Sequence, residues 1–305
     1  MGAYIGGRLL QVVPTLLLIV TIVFFLVHIV GDPIGIMLGD NATPEQVATM
    51  REAMGLNEPV LVQYFSYLGS VLTGDFGVSY QYNQAALPIV LERLPLTLTL
   101  AIGAILLSLV IAIPLGVWSA THRGGALDSF LSSISVLAKA MPNFWLGIML
   151  ILIFAVTLRW LPVSGSGSWA HLVLPVVALG TGTAAEITRL VRSSMIEILS
   201  QDYIRTARGK GLRQRVVVYK HALINAFVPV SSITILQFST LVGGALVTEV
   251  VFAWPGLGQL LVDAVSQRDM ILVQAAVFVI AVMVLALNLL SDVLFKVVDR
   301  RISLG

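Results

Sequence analysis

Cysteine is absent from this 305-residue chain, and charged residues make up only 11% of it. The first absence excludes a disulfide framework, thiolate chemistry and any cysteine-based metal site. The second excludes an ordinary soluble domain, in which roughly a quarter of the residues are charged. The phosphate-cradling pattern G-x-x-x-x-G-K-[ST], the zinc pattern H-E-x-x-H and the nucleophile pattern G-x-S-x-G are missing as well, so neither nucleotide binding nor hydrolysis by those routes has residues to carry it. The histidines, His28, His122, His171 and His221, are scattered without ligand spacing. A net charge of +2 is too small for nucleic-acid binding to be a property of the whole chain.

What the chain has instead is hydrocarbon: 57% hydrophobic residues and a mean hydropathy of +0.95. Crossing about 30 Å of bilayer takes about 20 apolar residues, and six windows qualify: Leu9–Val30, Leu94–Thr121, Ala140–Leu158, Leu172–Arg192, Val228–Thr248 and Met270–Ser291. The first is too long for a cleaved signal and is read as a retained anchor. With both termini in the cytoplasm, thirteen basic residues lie inside, among them Lys296, Arg300 and Arg301, against four outside. Basic residues resist translocation, which fixes that orientation. The expected fold is an all-α polytopic membrane protein in three stretches. Residues 1–30 hold the first span, 31–93 form an extracytoplasmic loop, and 94–305 form a five-helix core with a cytoplasmic loop at 193–227.

The outer loop carries helix signals rather than disorder signals. Thr43 and Gln46 form a capping box with Pro44 at the first helical position. Val47, Met50 and Met54 then share a face and Gly55 stops the turn. Asn57 and Pro59 open a second short helix to about Leu72, bearing Val60, Leu61, Tyr64 and Leu68. Two readings stay open: helices lying on the membrane edge, or a platform for an extracytoplasmic partner.

An ion-coupled secondary transporter is the rival reading, and it needs ionisable residues at mid-membrane. Few are available. Pro142 favours a break after an interfacial helix at 126–138, which lets Lys139 snorkel to the cytoplasmic surface. Glu186 and Arg189 are spaced for a local ion pair on one helix. Pro114 and Pro175 are expected to kink their helices as well. Gly103, Ser108, Gly116, Gly147, Gly180, Gly182, Gly243 and Gly244 allow close helix approach. Asn143, Gln237 and Thr240 are uncharged polar residues suited to a wet passage or to gluing neighbouring helices, and Asn288 is similar.

The most distinctive segment is 189–221, with eight Lys or Arg and two acids between apolar runs. Ser200 is placed to cap a helix starting at Gln201 or Asp202, and Asp202 complements its positive end. Gly211 is a natural stop. Such a helix would lie along the membrane and expose Arg205 and Arg208. A topology determinant touching anionic lipid needs the charge but not the cap or the glycines.

The stretch 192–229, through SQDYIRTARGKGL and HALINAFVP, resembles the cytoplasmic coupling loop of binding-protein-dependent ABC importer permeases, and within them the dipeptide, oligopeptide and nickel permease family. Gly74–Tyr80 (GDFGVSY), Leu94–Leu100 (LPLTLTL) and Phe252–Leu261 (FAWPGLGQLL) are similar to that family's other motifs, in the same order. Gly209, where alanine is more usual, and Arg300, where proline is commoner, depart from its pattern. The resemblance implies a non-catalytic permease of the bacterial cytoplasmic membrane. Asp202, Tyr203, Arg205, Thr206, Ala207, Gly209, Gly211 and Leu212 would form a coupling helix docked in a cytosolic ATPase subunit. Asp75, Phe76, Gly77, Tyr80, Trp254, Pro255 and Gly256 would face an extracytoplasmic substrate-binding protein. The implied partners are two ATPase subunits, which would bind ATP and magnesium themselves, and a second, homologous permease; this chain would hold no cofactor. The implied cargo is a di- or oligopeptide, with a nickel chelate or glutathione as the alternative.

Overall fold

The computed structural model describes residues 2–30, 43–53 and 55–298. Met54, Arg300, Arg301 and the side chains of Met50 and Lys296 lie outside them. Among the described residues, helices are joined by turns and short loops, with one isolated β-bridge, Val78 to Ala85. In chain order the elements are α1 (Gly2–Val30), α2 (Pro44–Ala53), α3 (Val60–Thr73), α4 (Ala86–Thr121), α5 (Ala126–Ala140) and α6 (Asn143–Leu150). They continue as α7 (Trp169–Leu199), α8 (Asp202–Gly209), α9 (Gln214–Val216), α10 (Leu223–Val251), α11 (Leu257–Ser266) and α12 (Met270–Val298). Two π-helical stretches interrupt the pattern, Ile151–Thr157 after α6 and Val217–Ala222 before α10. Among the described residues, five helical stretches are long and apolar enough to cross a membrane, and α5 with α6 and its π extension makes six when that bent pair is counted as one span.

The pair is bent by 102°. Met141 and Pro142 are extended at the break, with ψ 127° and 136°, as the residues around a proline without an N–H tend to be. The expected span Ala140–Leu158 therefore starts only at Asn143. Proline does not act so everywhere: α4 and α7 run as unbroken helices through Pro114 and Pro175.

Two compact units are distinguished, Met1–Leu96 with Pro255–Ala286, and Thr97–Trp254 with Leu287–Gly305. In the first, the capping box forms as the sequence predicts. The Thr43 N–H donates to Gln46 Oε1 at 2.9 Å, and the Gln46 N–H to Thr43 Oγ1 at 3.3 Å. Helix α3 lies on the first span, with Tyr64 and Tyr67 packed on Phe24 at 5.3 and 5.5 Å between ring centroids and Tyr64 Oη 2.7 Å from Thr21 Oγ1.

The second unit is held by small residues, as expected where lipid gives no hydrophobic drive to pair helices. A Cβ added at Gly103 would stand 2.8 Å from Val176, one at Gly116 2.6 Å from Val191, and one at Gly180 2.9 Å from the Ala104 carbonyl oxygen. Ser108 Oγ donates to the Gly180 carbonyl at 2.8 Å, gluing α4 to α7. Gly147 is pressed by Phe252, and Gly182 and Gly244 both face Asn143. Gly243, expected among them, faces open space. Around the first π stretch, Ala155, Leu174, Ala178 and Phe252 form a buried cluster.

Candidate functional site

Three places carry the residues singled out by the sequence. The first is the inner helix α8. Gln201, extended at ψ 152°, takes the N-cap position and makes no side-chain cap bond. Ser200 is not the cap. It closes α7 in helical conformation, and its hydroxyl turns back to donate to the Glu197 carbonyl at 2.6 Å. Asp202 opens the first turn, where negative charge is favoured, and Thr206 Oγ1 donates to its carbonyl at 3.0 Å. Gly211 adopts φ 75°, a conformation other residues reach at a cost, and its N–H closes on the Arg208 carbonyl at 2.9 Å. Ile204 and Ala207 are buried and pin the helix to its own chain, beside the buried π-stretch residues Val217 and Val218. Ala207 is thus turned inward, whereas Asp202, Tyr203, Arg205, Thr206, Arg208, Gly209, Gly211 and Leu212 remain exposed. A Cβ at Gly209 would meet nothing within 4 Å.

The second place is the outer loop Gly74–Tyr80. Gly74 and Gly77 take φ 75° and 91°, and Gly77 lies so close to Ile271 that a Cβ would reach its Cδ1 at 3.3 Å. The loop folds back on itself, with the Ser79 N–H donating to the Gln84 carbonyl at 2.9 Å and the Ala86 N–H to the Gly77 carbonyl at 3.0 Å. Asp269, 1% exposed, gathers it onto the last span. Its carboxylate accepts from Ser79 Oγ at 2.5 Å, the Gln81 N–H at 3.2 Å and the Leu272 N–H at 3.1 Å. Burial, and then the Asp269 carboxylate, push the Tyr80 phenol up to about 12. Phe76 is buried against Phe278 at 5.2 Å, so of the residues expected to face a partner here, Asp75 is the exposed one and Phe76 is an anchor. Trp254 and Gly256 are buried too, while the Pro255 carbonyl accepts from Arg93 Nη1 at 3.3 Å.

The third place is a set of charges in the second unit that the sequence placed differently. Lys139 is exposed and also has a partner. Its Nζ meets Glu186 Oε2 at 2.5 Å, tying α5 to α7, and this replaces the expected local pair of Glu186 with Arg189. The bend follows directly after Ala140, and the lysine beside it reaches a carboxylate on α7 while half of its side chain stays exposed. Asp128 and Arg192 were not singled out by the sequence. The Arg192 guanidinium donates Nε and Nη2 to the two Asp128 oxygens, each at 2.8 Å, and Ser119 Oγ and the Gly124 N–H complete the carboxylate's shell. The available signal was one acid two residues into a new helix, followed by an apolar run. Asn143 sits between Gly182 and Gly244, Gln237 is half-buried and Thr240 exposed; none is joined to these charges.

A multi-span helical bundle with this outer loop and inner helix has the build of a membrane permease. Relatives with the same extent bear this out. The chain is 39% identical over 300 residues to the glutathione transport system permease protein GsiC of Salmonella paratyphi A, covering 98% of both chains. It is 38% identical over 315 residues to the oligopeptide transport system permease protein AppB of Bacillus subtilis, covering 99% of this chain and 100% of that one. An inward-facing structure of the MetNI methionine ABC transporter matches at a TM-score of 0.60 and 21% identity, over 70% of this chain and 97% of that one, a likeness of fold. Residues 112–304 match the family described as binding-protein-dependent transport system inner membrane component, and 1–101 match its N-terminal counterpart. The chain belongs to that family: it is a multi-pass inner-membrane permease of an ABC-type importer.

Proposed function

We propose that this permease imports short peptides of the glutathione kind, and that ATP-hydrolysing subunits drive it through α8. The observation that carries the reading is α8 itself. It is a short helix pinned from behind by Ile204 and Ala207, with Tyr203, Arg205 and Thr206 turned outward and a glycine at 209 whose smallness serves nothing in its own chain. Force applied to it passes directly into α7, which ends at Leu199, and through the second π stretch into α10. π turns are rare inside helices and frequently fall at functional sites. The names of the relatives, glutathione and oligopeptide permeases among them, support a peptide cargo and favour glutathione over a nickel chelate. The remaining partners follow the same reading: a second permease, two ATPases and an extracytoplasmic binding protein meeting the loop around Asp75.

The test is uptake by the reconstituted importer, with labelled glutathione, a dipeptide, an oligopeptide and a nickel chelate as competing cargoes. Glutathione should accumulate only with ATP and binding protein, and a protonophore should leave it unchanged. Accumulation by this chain alone, or uptake abolished by the protonophore at constant ATP, overturns the reading in favour of a secondary transporter.

A further inference from the structure

A cavity of about 590 Å³ opens in the second unit among α5, α7 and α10, and its charged lining is Lys139, Glu186, Arg189 and Arg192. Arg192 is neutralised by Asp128, and Lys139 by Glu186. Arg189 is left over. It is exposed to the cavity and has neither hydrogen bond nor ion pair among the described residues. It lies one helical turn from Glu186, on the same face of α7. Arg189 stands about 30 Å of helix rise from Trp169 and roughly 15 Å from Leu199, in the last turn of the fourth apolar window, where its exposed guanidinium faces the open cavity. Leu190, Ile233 and Val136 supply apolar walls, and the volume falls within the range of roughly 300–1,000 Å³ usual for small-molecule sites.

We propose that this cavity is a waypoint for a peptide's carboxylate on the inward path, with Arg189 as the binding residue. The planar guanidinium suits two-point recognition of a carboxylate. Lys139 takes one Glu186 oxygen, and the other keeps acceptor capacity for the peptide's ammonium group. Lys139, Glu186 and Arg189 together carry one net positive charge, which matches a peptide having one more carboxylate than ammonium, as glutathione has. The proposal rests on the peptide reading and adds the site that recognises the cargo within the bundle.

Equilibrium dialysis tests it without the binding protein. The complex of this chain with its companion permease and ATPases, nucleotide-free in phosphatidylcholine nanodiscs, is equilibrated with radiolabelled glutathione or its glycine amide. The wild type should hold the free acid at least about tenfold more tightly than the amide, the order expected of a charge-assisted hydrogen-bonded pair. Arg189→Gln should equalise the two, and Arg189→Lys should keep part of the preference, which separates carboxylate recognition from damage to the fold. Equal binding of acid and amide by the wild type, no binding, or an undiminished preference in Arg189→Gln overturns the site. Uptake of glutathione without that preference sinks this site alone. The preference without uptake sinks the glutathione cargo and leaves a carboxylate site.

Discussion

The outer loop at Gly74–Tyr80 and the inner helix α8 both announce themselves in the sequence by glycines beside charges, yet they are built in opposite ways. In the outer loop the small residue is required by the chain itself, since a side chain at Gly77 would press on Ile271 and the backbone there is left-handed. In α8, Gly209 is an ordinary helical residue facing open space. Its absence of a side chain weakens the helix, by roughly 0.5–1 kcal/mol relative to alanine, with no return inside this molecule. The charges divide in the same way. Asp269 is buried and saturated by three donors, whereas Asp202 meets only Arg205, at 3.4 Å, with the two side chains 94% and 81% exposed. One region is finished within the chain; the other has a surface whose features make sense against another molecule.

The largest effect that would break this contrast is expected at Asp269. Asp269→Ala strands two buried donors, Ser79 Oγ and the Leu272 N–H, each at a cost of about 1–3 kcal/mol. The melting temperature of the purified complex should fall by roughly 5 °C, and uptake driven by the binding protein should fall with it. A variant that melts with the wild type would show that the loop is held by Phe76 and its ring contact rather than by the acid.

An intermediate effect of opposite sign is expected at Gly209. Gly209→Leu adds a better helix former at an open position, so melting should stay level or rise by about 1 °C. Co-purification of the ATPase should nevertheless drop at least tenfold, on the order of one blocked anchor at an interface. If the ATPase stays bound at wild-type yield with full uptake, the grip lies elsewhere on the inner surface.

Why the sequence reveals so much of this and hides the rest is a matter of range. Charge-free windows, the Thr43–Gln46 box and the break at Pro142 are set by neighbours along the chain, and each reappears where the local rule puts it. Boundaries are less legible because helices outrun the membrane: the fourth window ends at Arg192, while α7 continues to Leu199. Ser200 has the right chemistry for an N-cap but is claimed by the helix that precedes it, a competition that composition does not record. Lys139 and Glu186 are 47 positions apart, and Arg192 and Asp128 are 64. Those pairings depend on how α5 folds back on α7 after the bend, and no spacing rule reaches that far. Phe76 and Trp254 are both buried: a motif marks residues as important without saying whether they touch a partner or hold the loop that does.

A small loss of stability, set against a readout that salt can separate, makes Asp202 the last test of the contrast. Its ion pair with Arg205 is almost wholly solvated, and exposed pairs of this kind contribute about 0–1 kcal/mol. Asp202→Lys also places a positive charge at the positive end of α8, an unfavourable term of about 0.3–1 kcal/mol. A helix of eight residues pinned by Ile204 and Ala207 can absorb a loss of that size while the spans stay intact, so melting should shift by no more than about 2 °C. ATP-dependent uptake should still fall about tenfold, because a reversed charge on a docked surface meets the partner's own charges rather than water. Raising the salt concentration should restore part of the loss if the penalty is electrostatic. A salt-independent loss would point instead to an unravelled helix, and uptake at the wild-type rate would remove Asp202 from the docking surface.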